Sequence, residues 1–289
     1  MSEAARAAMQ QADELIARRE FTAALGPARE ACLLSPESSE AWWNLAIAAK
    51  HAHAWADCLH ACERSISLTP DASEGACWNA GIAATALRQW PRAREAWAGC
   101  GIQLPDGDGP LQMTIGHAWV RVNPQTEPEV VFCKRIDPCR AQILSVPLPD
   151  SGRRFGDLVL HDGERRGTRR HQQAAYAVFD ELTLYEPSDY GTWQVSVVCR
   201  DSTRRDHLLD KFEGVDGAVE DWTENVSLIC ARCSLGEPPE DHDHDHAPTA
   251  GWQPARRLGL ALRHERDLKR LRRFALGWLP EVHEVTRVL

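Results

Sequence analysis

The sequence predicts two folds in one chain: an α-helical repeat array over residues 1–105, then an α+β domain with an antiparallel or mixed sheet over residues 111–289. Three observations predict this. A pattern of large and small residues recurs at spacings of 34 and 35. The stretch LPDGDGP (104–110) interrupts it with turn residues and leaves 106–110 as a linker. Beyond that break Val, Ile, Leu and Phe come in short runs separated by turn-rich pieces, the signature of strands.

Residues 41–70 show the helical unit most clearly. Trp42, Leu45, Ala46 and Ala49 recur at helical spacing, and a polar turn follows. Cys58, Cys62 and Ser65 then do the same on a second helix, which Pro70 closes. Trp55 matches Phe21 and Trp90, Cys58 matches Ala24 and Ala93, Cys62 matches Ala28 and Trp97, and Pro70 matches Pro36 and Pro105. Repeat one therefore spans about 3–36 and repeat three about 73–105. Trp42 and Trp97 are expected between helices, with Trp43 as the exception because it directly follows a packing tryptophan. Pro27 is expected in the first turns of its helix, where a missing amide costs least.

In the second half, strands are expected at 113–122, 129–136, 140–146, 157–161, 176–185 and 193–199. A helix over 202–213 opens on Ser202 as N-cap. Residues 219–233 read as a strand end and a helical turn, 234–254 as a polar loop, and 263–279 as an amphipathic helix. Together these make an α+β domain.

The repeat pattern resembles the tetratricopeptide repeat (TPR), a helix–turn–helix unit of about 34 residues. The resemblance implies a superhelix whose inner face, lined by the first helix of each repeat, binds a protein or peptide. By repeat position the implied partner-binding residues are Gln10, Asp13, Asn44, Ile47, Asn79 and Ile82. Some members clamp a C-terminal carboxylate with Asn, Lys and Arg side chains. Here only Asn44 matches, while Met9, Asp13, Gly75 and Asn79 stand at the other clamp positions. A different ligand is therefore expected.

A net charge of −9 argues against general attraction to phosphates, so nucleic acid is not an expected partner and a basic protein suits better. The N-terminal residues do not form a secretory leader, and no run is long enough to span a membrane. Four of the ten cysteines, Cys32, Cys58, Cys62 and Cys77, fall where helices should face each other, as small core residues do. A cytoplasmic protein is expected.

One constellation points to metal. Cys230-Ala-Arg-Cys233 has the spacing of two zinc ligands, and His242, His244 and His246 follow in a DHDHDH run. Zinc in a structural role is one reading. A solvated acidic loop beside two ordinary cysteines is another, and a redox pair a third. Cys133 and Cys139 are expected in the core or a turn, His161-Asp162 at a strand end, and Glu220, Asp221 and Glu224 on a solvated face. No phosphate loop, nucleophile elbow or dinucleotide fingerprint is present. A non-catalytic protein-binding scaffold or adaptor follows, with an immunity-like neutraliser of a toxin or effector as its narrower form. The alternative is an enzyme or metal-handling protein with its site in the α+β domain.

Overall fold

Small residues govern the packing of the N-terminal helices. In a computed structural model these are α1 (Glu3–Ala17), α2 (Phe21–Leu34), α3 (Ser39–His51), α4 (Trp55–Leu68), α5 (Glu74–Ala86) and α6 (Trp90–Gly99). Alanines fill the contacts: Ala5, Ala8 and Ala12 on α1, Ala24, Ala28 and Ala31 on α2, Ala80, Ala83 and Ala84 on α5. Alanine is the best helix former and keeps helix axes close. Consecutive helices pack pairwise, and α3 also touches α1 and α5. The described residues are 2–70, 73–171, 174–210, 216–223, 252–264, 266–268 and 282–289. They divide into one unit of Met1–Thr114 with Ile136–Cys139 and another of Ile115–Arg135 with Arg140–Leu289.

The three helix pairs share one turn. Arg19, His53 and Arg88 all adopt a left-handed backbone, with φ of 60°, 58° and 57°. In each case the following amide reaches back five residues: Glu20 to Leu15, Ala54 to Ala49 and Gln89 to Ala84. This pattern satisfies carbonyls that the helix end would otherwise orphan. Because the hydrogen bonds hold the turn, Arg and His stand where glycine is usual. Ser2 and Ser38 cap α1 and α3 by accepting from the amides of Ala5 and Ala41.

Two sequence expectations need correction here. Pro27 is the seventh residue of α2, at the end of its second turn and past the four amides that lack a helical partner, so it does not stand where a missing amide costs least. Trp97 is fully buried, with its ring where a Cβ on Gly81 would stand 2.6 Å away. Trp42 is only half-buried: its indole N–H donates to the Pro36 carbonyl at 2.9 Å, and Arg64 lies over its ring. The break after α6 is also held in place, since the Arg94 guanidinium donates to the carbonyls of Pro105 and Gly109.

The second unit opens with a five-stranded barrel: β1 (Gly116–Val122), β2 (Glu129–Arg135), β3 (Arg140–Ile143), β4 (Leu158–His171) and β5 (Ala174–Glu186). Neighbours in sequence pair antiparallel, so strands one and five must run the same way where the barrel closes. Trp119–Arg121 accordingly pair in parallel with Val178–Asp180. Val120, Val122, Val131, Cys133, Ala141, Ile143 and Val159 fill the interior. The strand expected at 157–161 is much longer: β4 passes through a series of register shifts and pairs with β5 out to His171 opposite Ala174.

A four-stranded antiparallel sheet follows, ordered β7 (Gly217–Asp221), β8 (Ala255–Leu262), β6 (Gly191–Val198) and β9 (Val282–Arg287). α7 (Ser202–Asp210) adds Leu208 to its core. Asp201, one residue before the expected cap, accepts the Arg204 amide at 2.8 Å. Barrel and sheet share a small core of Val146, Tyr190, Trp222 and Ala261. Trp222 donates to the Val146 carbonyl at 2.8 Å, and a Cβ on Gly259 would meet its ring at 2.2 Å. The chain thus combines helical repeats with an α+β region holding a mixed barrel and an antiparallel sheet.

Candidate functional site

The first helix of each pair presents one face of the array. On it the Asn44 side-chain amide donates to the Asp13 carboxylate at 2.5 Å, joining α3 to α1. Gln10 donates to Glu14 at 3.1 Å on the exposed part of α1. Trp43 remains 36% exposed, and a Cβ at position 75 would stand 3.0 Å from its ring. Glycine at 75 is what lets the indole of α3 lie against α5. The face therefore offers a flat aromatic surface beside a fixed amide–carboxylate pair.

The residues expected to line this face divide by accessibility. Gln10 and Asp13 are exposed and Ile47 is half-buried. Asn44 and Asn79 retain only 8% and 4% exposure, and Ile82 none. Ile82 is thus a core residue and can touch no partner. Asn44 acts by orienting Asp13, and Asn79 offers little surface of any kind, its carbonyl lying buried 4.0 Å from the Cys58 sulfur. Trp43 adds an accessible aromatic ring to the exposed Gln10 and Asp13.

The cysteines between helices are core residues. Burial pushes the Cys32 thiol up to about 12. Cys62 is raised well above the ordinary range, first by its hydrogen bond with Cys58 and then by burial. Neither is a ready thiolate nucleophile. In the barrel Cys133 is buried and likewise raised, and in the turn between β2 and β3 the Cys139 amide donates to Asp137 at 3.0 Å.

Sequence reasoning missed the charged groups of the barrel, which have no local motif. Arg121 donates to both oxygens of Asp180 at 2.6 and 2.9 Å, and Arg166 adds a bond to the same carboxylate at 3.0 Å. Arg153 makes the same two-pronged contact with Glu181 at 2.6 and 3.1 Å, while the Asn123 amide donates to that carboxylate. Nearby, Glu129 accepts the Leu148 amide at 3.0 Å. Burial pushes its carboxyl up to about 7, assisted by the charge of Asp150 and opposed by bonds from Leu148 and Ser151.

His161 is not at a strand end. It is fully buried in β4, stacked on Phe179 with centroids 4.8 Å apart, and its Nδ1 lies 2.8 Å from the Asp162 carbonyl. Asp221 does not sit on a solvated face either: it is buried and paired with Arg256 at 3.1 Å. Glu224 lies outside the described residues, as does most of the helix expected at 263–279.

Cys230, Cys233, His242, His244 and His246 also lie outside the described residues. Among the described residues no group of three or more His, Cys, Asp or Glu is arranged to hold a metal ion. Among them, too, no helix is long and apolar enough to cross a membrane.

No protein-family model matches the chain, and no curated protein matches it. Among the solved structures similar over part of it is the TPR2B-domain:pHsp70-complex of yeast Sti1, 19% identical, covering 34% of this chain and 78% of that one, with a TM-score of 0.31. A likeness of that degree bears on neither fold nor ligand here.

Proposed function

We propose that the chain is a non-catalytic binding protein that holds a protein or peptide segment against the α1–α3–α5 face. The observation that carries this reading is Trp43, a large ring left 36% exposed and seated on Gly75. Exposed tryptophans beside fixed polar groups are the anchors of recognition surfaces. α1, α3 and α5 each carry a glutamate in the first turn (Glu3, Glu40 and Glu74), and Asp13 adds a fourth carboxylate. The complementary segment is basic. A narrower form of the same role has that segment belong to a toxin or effector, which this chain neutralises.

The test is affinity capture with chemical crosslinking, using the full chain beside a Trp43→Ala, Asp13→Asn variant. Both positions are accessible, so folding is expected to persist. Proteins crosslinked through α1, α3 or α5 should be lost in the variant. An unchanged set would move the interface elsewhere.

Zinc is a separate proposal for Cys230 and Cys233 with two of His242, His244 and His246, in a structural role. Elemental analysis of untagged protein is expected to find about one zinc per chain, lost in a Cys230→Ser, Cys233→Ser variant. Metal-free, fully folded protein would end that proposal.

A further inference from the structure

The outer wall of the barrel carries an aromatic cluster where β5, β1 and β2 meet. Side chains of paired residues project to the same side of a sheet. The register places His117 opposite Lys134, Trp119 opposite both Phe132 and Val178, and Arg169 opposite Tyr176. Val120 and Val131, one step along, point into the core.

The rings touch. His117 stacks on Phe132 with centroids 5.1 Å apart and planes 11° from parallel. Tyr176 meets Phe132 edge-on at 5.4 Å, and Trp119 lies 5.1 Å from the same ring. The Arg169 guanidinium covers Trp119 at 4.4 Å. His117 and Lys134 are exposed, while Phe132 and Tyr176 are half-buried. The stack therefore ends in an open imidazole beside an ammonium group.

The far half of the β4–β5 hairpin runs past the barrel from this wall. β3 pairs with β4 only over Leu158–Leu160, and β1 meets β5 only over Val178–Asp180. Residues 163–176, GERRGTRRHQQAAY, hold four arginines against one glutamate on a chain of net charge −9. Arg166 is paired with Glu164 and Asp180. Arg165 bonds neutral acceptors, the Gly167 carbonyl and the Thr168 hydroxyl, rather than a carboxylate.

We infer that this wall and hairpin bind single-stranded nucleic acid, with bases stacking on the His117–Phe132–Tyr176 cluster and phosphates meeting Arg165, Arg169 and Lys134. An acidic peptide would use the arginines but has no need of the rings, and a proline-rich one the reverse. A single strand uses both, because every base has a face to stack and every linkage a charge to neutralise. A duplex keeps its bases stacked and cannot reach the rings. The net charge of −9 argues against general attraction to phosphates, but charges farther than about 10 Å are screened at about 0.1 M salt, so the basic wall and hairpin act locally.

Fluorescence anisotropy of the full chain with labelled RNA and DNA single strands of about 12 nucleotides tests the inference. At least one of the two should bind, and comparing them identifies the sugar preferred. Binding should weaken about tenfold between about 50 and about 200 mM salt, as some three phosphate contacts require. A His117→Ala, Tyr176→Ala variant should bind at least about tenfold more weakly with its melting transition intact. Should that variant unfold, His117→Ala alone, at an exposed ring, carries the same expectation. Arg165→Gln should flatten the salt dependence. Three results would overturn the inference: no binding of either strand, binding indifferent to the loss of the rings, or competition by polyglutamate as effective as by unlabelled strand. The last would identify a surface for acidic protein.

Discussion

The helical array and the barrel use arginine–carboxylate pairs in opposite ways. In the array, Arg29 meets Asp57 and Arg92 meets Glu63, joining successive outer helices at the surface. Each of these side chains keeps 40% or more of its exposure. In the barrel, Arg121 and Asp180 retain 8% and 6%. Exposed pairs contribute little because water and salt screen them, whereas a buried charge deprived of its partner is heavily penalised. The array depends on the fit of apolar surfaces, repeated every helix pair. The barrel adds to its apolar interior a few buried polar contacts between strands far apart in sequence.

Substitutions in the two regions test this contrast. Two large effects of similar size are expected, one per region. Asp180→Ala should cost about 3–5 kcal/mol, because Arg121 stays buried without its carboxylate. Trp97→Ala should also cost about 3–5 kcal/mol by leaving a cavity against Gly81. Trp42→Ala, at a half-buried ring, should cost clearly less. Chemical denaturation of the three variants checks all of this, and an Asp180→Ala variant as stable as the parent would remove the buried pair from the account.

A smaller, pH-dependent effect belongs to Glu129. Its carboxyl rises from 4.5 to about 7 on folding, so the native state favours the proton. The resulting stabilisation is complete below the unfolded value and is lost as pH rises through about 7. Glu129→Gln should therefore match the parent near pH 4 and exceed its stability by about 1–3 kcal/mol near pH 8. Parallel pH–stability curves would show that the carboxyl is hydrated. The smallest effect is expected from Arg92→Ala, below about 1 kcal/mol and vanishing at high salt. A cost as large as that of Asp180→Ala would erase the distinction between the two regions.

Much of the array could be read before its structure, because its contacts are local. α2, α4 and α6 begin at Phe21, Trp55 and Trp90, the residues that matched across the repeats. The α1–α3–α5 face was harder to read. Ile82 and Asn79 hold equivalent repeat positions to exposed residues, yet neighbouring helices bury them. In the β region six strands were recognisable from their apolar runs. β8 and β9 were not: Ala255–Leu262 has two arginines after its first residue, and its burial depends on partners some sixty residues earlier in β6.

By itself, then, the sequence determined the helix–turn–helix period, the change of fold near residue 110, and the inward placing of small residues and cysteines. These follow from 3.6-residue and two-residue periodicities that neighbours in the chain impose on one another. Only the tertiary structure decided that Asp180 would meet Arg121, that Glu129 would lose its water, and that His117, Phe132 and Tyr176 would share one wall. Those groups lie up to 59 residues apart in the chain. No local pattern encodes their meeting, because it depends on register and on closure of the barrel between its first and last strands.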